Sequence, residues 1–204
     1  MGHPTQRLLL RKLVPAASGP VLEIGSKDHA PASGVAASGT SSFRDVYPGV
    51  PYVGVDLEEG PGVDRVLDLA AGTGGLPEGH FALAICCSVL EHTPRPWVMA
   101  ANITRLLAPG GVLYVSVPWV WCYHCYPDDY FRFSASGVRA LFDGFDWKGA
   151  WYSTSVIGEL IPIDFADLTR EDRLREVVPP TIGGPARTYL PYLAVNMIGA
   201  RRAA

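Results

Sequence analysis

The chain has 204 residues, 48% of them hydrophobic and 18% charged, with 17 basic against 20 acidic side chains and a formal net charge of -3. So much apolar content with so little net charge excludes intrinsic disorder, and the lack of a basic excess excludes counterion-release binding to nucleic acid. A length of this order fits one domain burying roughly 70% of its unfolded surface, and 22 glycines with 18 prolines predict many short connections between packed elements.

In chain order, a helix is predicted over residues 5 to 14. Leu9, Leu10, Leu13 and Val14 lie on one side, and Pro15 stops it. The basic residues Arg7, Arg11 and Lys12 flank its leucines, so no signal-peptide apolar core is read there and a cytoplasmic location is expected. Val21 to Gly25 is a short apolar run ending in glycine, the pattern of a buried parallel strand. Residues 30 to 42 are a stretch of small residues, expected to order only around a ligand. Further strands are predicted at Tyr52 to Val55, ending on Asp56; at Arg65 to Leu67, ending on Asp68; and at Phe81 to Cys87. A helix is predicted from Thr93 to Ala108, with Thr93 as its cap and Met99, Ile103, Leu106 and Leu107 as its buried stripe. Val112 to Val117 is the fifth strand, and Ser134 caps a helix burying Val138, Leu141 and Phe142. Trp147 to Ile157 and Tyr192 to Gly199 are the last two strands, separated by an insert with one amphipathic helix near Thr169 to Val178.

Strands alternating with helices predict an open, mostly parallel α/β sheet, whose ligands bind beyond the carboxyl ends of the strands at the topological switch point. The acidic residues and irregular loops gather at those ends. Gly25 lets a ligand approach the backbone, and Asp56 at the next strand end can accept hydrogen bonds from a ribose diol. A dinucleotide site also needs G-x-G-x-x-G to cradle the pyrophosphate. Here the loop reads Gly25-Ser26-Lys27-Asp28-His29-Ala30, so a ligand with a ribose and no pyrophosphate fits better. S-adenosylmethionine is one.

The ordered pieces VLEIGS, YVGVDLEEGPGVDRVLDLA, FALAICCSVLEHTPRPWVMAANITRLLAPGGVLYVSVP and YPDDYFRFS resemble the class I S-adenosylmethionine-dependent methyltransferases of the small-molecule branch. The resemblance implies a Rossmann-like, doubly wound, mostly parallel seven-stranded sheet with an antiparallel last strand. It implies that Glu23, Gly25 and Ser26 lie along the methionine moiety, that Asp56 with Leu57 holds the ribose, and that Asp68 with Leu69 meets the adenine. Ser88 and His92 then face the sulfonium and the acceptor. Only one glycine stands in the first loop, where the family usually has two or three.

After the fifth strand the chain is dense in aromatic residues. Trp121, Tyr126 and Tyr130 can wall an apolar acceptor pocket and shield a cationic sulfonium. His124 is the first candidate for a general base and His92 the second, because an imidazole titrates near neutrality. Asp128 or Asp129 can orient His124, and Arg132 can hold a substrate carboxylate or pair with one of those aspartates. A zinc set of Cys87, Cys122, Cys125 and His124 competes with these roles, but the cysteines lack two separated ligand pairs and no metal is expected.

The expected organisation is one domain over 1–204, with an N-terminal helix in 1–19 and a cofactor-binding core in 20–158. An insert at 159–190 serves as a substrate lid or a homodimer interface, and 191–204 hold the last strand and tail. The expected activity is methyl transfer to a small-molecule acceptor, with oxygen favoured as the methylated atom, in natural-product or sugar metabolism. The competing readings are a non-catalytic nucleoside-binding module and an NAD(P) oxidoreductase. Neither nucleic acid nor membrane is an expected partner. The uncharged run from Gly110 to Tyr126 is broken by Gly111, Ser116, Pro118 and His124 and reads as a strand entering a loop.

Overall fold

The computed structural model describes residues 4–28, 42–124, 127–166 and 192–203. The predicted small-residue segment apart from Ser42, the helix near Thr169 to Val178, and Cys125 and Tyr126 lie outside these residues.

Eight strands form one sheet: β1 (Val21–Ile24), β2 (Tyr52–Asp56), β3 (Arg65–Val66), β4 (Phe81–Cys87), β5 (Leu107–Val120), β6 (Phe145–Ser153), β7 (Leu160–Pro162) and β8 (Leu193–Arg201). Their order is β3-β2-β1-β4-β5-β8-β6-β7. Strands β3, β2, β1, β4 and β5 run parallel. Strand β8 slots antiparallel between β5 and β6. The seven predicted strands are thus joined by an eighth: β7, within the insert, pairs antiparallel with β6 at the sheet edge.

Alternation along the central strands sorts their side chains into two layers. Leu22 and Ile24 of β1 and Ala84 and Cys86 of β4 share a core with Met99, Ile103, Val138 and Phe142. Val21, Leu83, Ile85 and Cys87 instead pack with Leu9, Leu10, Phe43 and Tyr47. The helices supplying those partners are α1 (Pro4–Leu13), α2 (Pro96–Leu106) and α3 (Ala135–Leu141), with a 3-10 turn at Phe43–Val46 and another at Leu90–His92. Adjacent Cys86 and Cys87 therefore point to opposite faces, both fully buried, and burial pushes both thiols up. Cys122 is exposed.

Two helix boundaries moved inward for identifiable reasons. Helix α2 begins at Pro96, not at the predicted cap Thr93, and its cap residue Arg95 makes no side-chain capping bond. The Thr93 hydroxyl accepts from Arg95 N–H at 3.3 Å, closing a turn ahead of the helix, and Pro96, not Pro94, takes the first-turn position that tolerates a missing N–H. At its other end, Leu107 leaves the helix to begin β5. Helix α3 starts as predicted, with Ser134 accepting from Gly137 N–H at 3.1 Å.

Helix α1 also buries polar residues. The Gln6 amide donates to Ser116 Oγ at 2.6 Å, and Thr5 Oγ1 accepts from Gly158 N–H at 3.0 Å. Asn196 of β8 accepts from the Tyr114 hydroxyl and donates to Ser153 Oγ, which satisfies a polar seam inside the core. Among the described residues no helix is long and apolar enough to cross a membrane.

Candidate active site

The chain leaves β1 toward β2 on one side of the sheet, and β4 lies on the other, so the order reverses between β1 and β4. A cleft opens at that switch point, lined by Gly25, Asp56, Leu57, Leu67, Asp68, Leu69, Ser88, Val89, His92, Met99 and Pro127 among others. Six of the eight predicted cofactor residues therefore share one wall: Gly25, Asp56, Leu57, Asp68, Leu69 and Ser88.

Gly25 has a φ of +73°, and a β-carbon there would stand 2.4 Å from Val89 Cγ2. Both the backbone conformation and the space demand glycine. Gly25→Ala is expected to cost about 1–3 kcal/mol in unfolding free energy and to weaken ligand binding at the cleft, as checked by urea denaturation and calorimetry.

The Asp56 carboxylate gathers the loops around it, accepting from the backbone N–H of Lys27 at 3.0 Å, Leu57 at 2.7 Å and Glu58 at 3.4 Å. Two carboxylate oxygens offer about four acceptor positions, so capacity remains toward the cleft. Asp68 accepts from Ala70 N–H at 2.7 Å through Oδ1. The backbone that carries it is held from behind by Asn102 of α2, whose amide donates to Leu69 O at 2.8 Å.

Ser88 is the one non-glycine among the described residues with a positive φ, +53°. Its N–H donates to Ser116 O at 2.8 Å, holding the strained turn at the end of β4 against β5. Unfolding stability should fall from Ser88→Gly and wild type to Ser88→Val, with a gap of about 1–3 kcal/mol for the β-branched variant; equal midpoints for all three would show that the turn stores no strain.

Glu23 and Ser26 do not line the cleft. The carboxylate of Glu23, 3% exposed, turns to the α1 face, where it accepts from the Ser42 hydroxyl, from Phe43 N–H at 3.2 Å and from the Tyr52 hydroxyl at 2.7 Å. Burial raises its pKa above the ordinary carboxyl value, more than those donors lower it. Ser26 is buried, and its hydroxyl has no hydrogen-bond partner among the described residues. The oxygen packs against Gly54, where a β-carbon would lie 2.6 Å from it.

Beyond that wall stands a group of residues far apart in the sequence. His92 lines the cleft; His124 does not, but its ring meets that of His92 edge-to-face at 4.9 Å. His92 Nδ1 lies 2.6 Å from the carbonyl oxygen of Asp128, and burial lowers its pKa. The residue that orients His124 is Asp129, whose Oδ2 is 3.2 Å from Nδ1 and accepts the His124 backbone N–H at 2.9 Å. Asp128 instead accepts from Tyr123 and from Asp129 N–H. Arg132 grips Asp129 with two bonds, of 2.5 and 2.7 Å, and holds that carboxyl well below the usual range. The other hydrogen bonds of Arg132 reach the carbonyls of Trp121, Phe131 and Cys122, so its work is to shape the loop.

Trp121 and Tyr130 are 37% and 47% exposed and stand outside the cleft lining. The loop that carries them is stitched to the turn at Leu90–His92, because Tyr130 N–H donates to Glu91 O at 2.8 Å. Glu91 itself, absent from the predicted site, is completely buried, and neither carboxylate oxygen has a partner among the described residues.

A family model described as "Methyltransferase domain" matches residues 1–153. An uncharacterized methyltransferase of Mycobacterium avium (strain 104) is 36% identical over 91 residues, a stretch taking in 40% of this chain and 35% of that protein. The match thus spans about a third of the length of the curated relatives. Among solved structures, a putative methyltransferase from Bacillus halodurans C-125 superposes with a TM-score of 0.61 at 13% identity, covering 97% of this chain and 99% of the other. The 1,6-didemethyltoxoflavin-N1-methyltransferase of Burkholderia thailandensis, solved with 1,6-didemethyltoxoflavin and S-adenosylhomocysteine, gives 0.58 at 16% identity and covers 97% and 76%. At these identities the likeness is one of fold.

Proposed function

This chain belongs to the methyltransferase domain family, and from that premise we propose that it transfers a methyl group from S-adenosylmethionine to a small-molecule acceptor, with oxygen as the methylated atom. The observation that carries the reading is the cleft at the β1/β4 switch point, where Gly25, Asp56 and Asp68 converge from three strand ends.

The residues present fit the cofactor. Asp56 has an acceptor position left for a ribose hydroxyl, Oδ2 of Asp68 and the Leu69 backbone suit an adenine edge, and Gly25 admits a close backbone approach for the methionine moiety. The cofactor supplies an electrophilic methyl group on a sulfonium. The protein's task is then alignment, since a nucleophile held at about 3–3.5 Å in line with the breaking bond needs little further assistance. Ser88 and His92 stand on the side of the cleft where the acceptor would enter, and the neighbouring imidazoles of His92 and His124 are where the proton of an acceptor hydroxyl is handled. A natural-product or sugar hydroxyl is the acceptor class proposed.

The test is calorimetric titration with S-adenosylmethionine, followed by label transfer from methyl-labelled cofactor to a panel of hydroxylated small molecules. Binding with transfer is expected. Binding without transfer to any acceptor would favour a nucleoside-binding module, and a rise in Tm with NADH but not with S-adenosylmethionine would overturn the proposal.

A further inference from the structure

Three side chains beside the cleft bring potential metal-ligating atoms close to one another. Glu91 is buried, and both its oxygens lack a partner among the described residues; His92 Nε2 is likewise buried without one. These two face each other, with Nε2 3.8 Å from Oε1. The tautomer of His92 follows from its other nitrogen: a backbone carbonyl only accepts, so Nδ1 donates to Asp128 O and Nε2 is left as a bare lone pair. His124 repeats the pattern. Its Nδ1 stands 3.2 Å from the Cys122 carbonyl and 3.2 Å from Asp129 Oδ2, both acceptors, so Nδ1 carries a hydrogen and the neutral ring presents a bare Nε2. Three such groups converging are unfavourable unless something positive, a proton or a metal ion, lies between them. The nearby cation does not fill that need, because the guanidinium of Arg132 is committed to Asp129.

We propose that Glu91, His92 and His124 form a binding site for a first-row divalent cation, of the zinc or cobalt kind, opening onto the acceptor side of the cleft. One ligand atom from each residue lies within 4.8 Å of the other two. Metal–ligand bonds of about 2.0–2.2 Å span at most about 4.4 Å, so binding closes the group by some tenths of an ångström or more. Two imidazoles and a carboxylate suit zinc, cobalt, iron or nickel better than magnesium or calcium, which favour all-oxygen sets. The outer contacts fit as well. Each histidine donates its other N–H to a carbonyl or carboxylate, the arrangement that fixes ring orientation in metal sites. Asp129 serves that role for His124 and is itself held by Arg132.

Three protein ligands leave a position for the acceptor. This further step rests on the methyl-transfer reading. A hydroxyl bound there loses its proton to solvent more readily beside the cation. Its oxygen then attacks the methyl carbon, forming an O–C bond as the C–S bond breaks and neutral S-adenosylhomocysteine leaves. In this arrangement the histidines act on that proton through the cation they hold.

The experiment treats the whole chain with a chelator and titrates it with Zn²⁺ by calorimetry and with Co²⁺ by visible absorption, while S-adenosylhomocysteine binding is measured on the same preparation. We expect one equivalent of metal, a Co²⁺ spectrum with histidine ligation, and at least a tenfold loss of affinity in His124→Ala and in Glu91→Gln. His124 is partly exposed, so its variant remains informative if the Glu91 variant fails to fold. No binding of either ion at 100-fold excess over protein, or unchanged affinity in a folded His124→Ala, would overturn the site. S-adenosylhomocysteine bound with no metal removes the cation site alone. Metal bound with no S-adenosylhomocysteine supports the site and removes the methyl-transfer reading.

Discussion

Asp56→Ala should raise the Kd for S-adenosylmethionine by about 10- to 10²-fold through the ribose contact alone. The magnitude follows from the one acceptor position that three backbone donors leave on the carboxylate, a charge-assisted hydrogen bond worth about 1.5–3 kcal/mol. The structure adds a second route to the same loss. The carboxylate accepts the N–H groups of Lys27, Leu57 and Glu58, so its removal also frees the loop after β1 from the end of β2 and loosens the turn that presents Gly25. Asp56→Asn separates the two contributions: it keeps an acceptor oxygen for the backbone and removes the charge, and should fall between wild type and alanine. Calorimetry on both variants, with Tm recorded to confirm folding, decides the matter. Wild-type affinity in a folded Asp56→Ala would remove the ribose assignment.

The strand ends were the most readable part of the chain. A short apolar run terminating in glycine or aspartate marks where a buried parallel strand meets its ligand edge, and Gly25, Asp56 and Asp68 all followed that rule into one cleft. Period-two alternation also carries the placement of Glu23. Glu23 shares its face with Val21 and lies opposite Leu22 and Ile24, so it packs toward α1 and Phe43, not into the cleft. Other features had no local signature. Thr5 and Gln6 look like the solvated side of an amphipathic helix, yet their partners Gly158 and Ser116 lie 153 and 110 residues away. Glu91 reads as a polar residue ahead of a helix. Only the return of the loop after β5, fastened by Tyr130 N–H to Glu91 O, brings His124 beside it. Contacts created by topology between distant loops leave no periodicity to read.

The placement of Glu23 leads to the second large effect, a contrast between two substitutions. Glu23→Ala leaves the buried Phe43 N–H and the Tyr52 hydroxyl without their acceptor, at about 1–3 kcal/mol each, and opens a void between β1 and the turn at Phe43–Val46; a total loss of about 2–5 kcal/mol is expected. Glu23→Gln keeps an oxygen at the same place and avoids the void. Its effect depends on pH with a definite sign. Burial raises the Glu23 carboxyl above its ordinary value of 4.5, so the folded state holds the proton more tightly than the unfolded chain. The stability this contributes is complete below the unfolded value and is lost as pH rises through the raised one. Glutamine cannot ionise and carries no such loss, so Glu23→Gln should gain on wild type as pH climbs through that window, while Glu23→Ala stays well below both. Urea unfolding of the three proteins from pH 4 to pH 8 measures the difference directly. A parallel course for wild type and Glu23→Gln would mean that the buried carboxyl is not penalised by its surroundings, and a Glu23→Ala as stable as wild type would mean that it does not hold the turn.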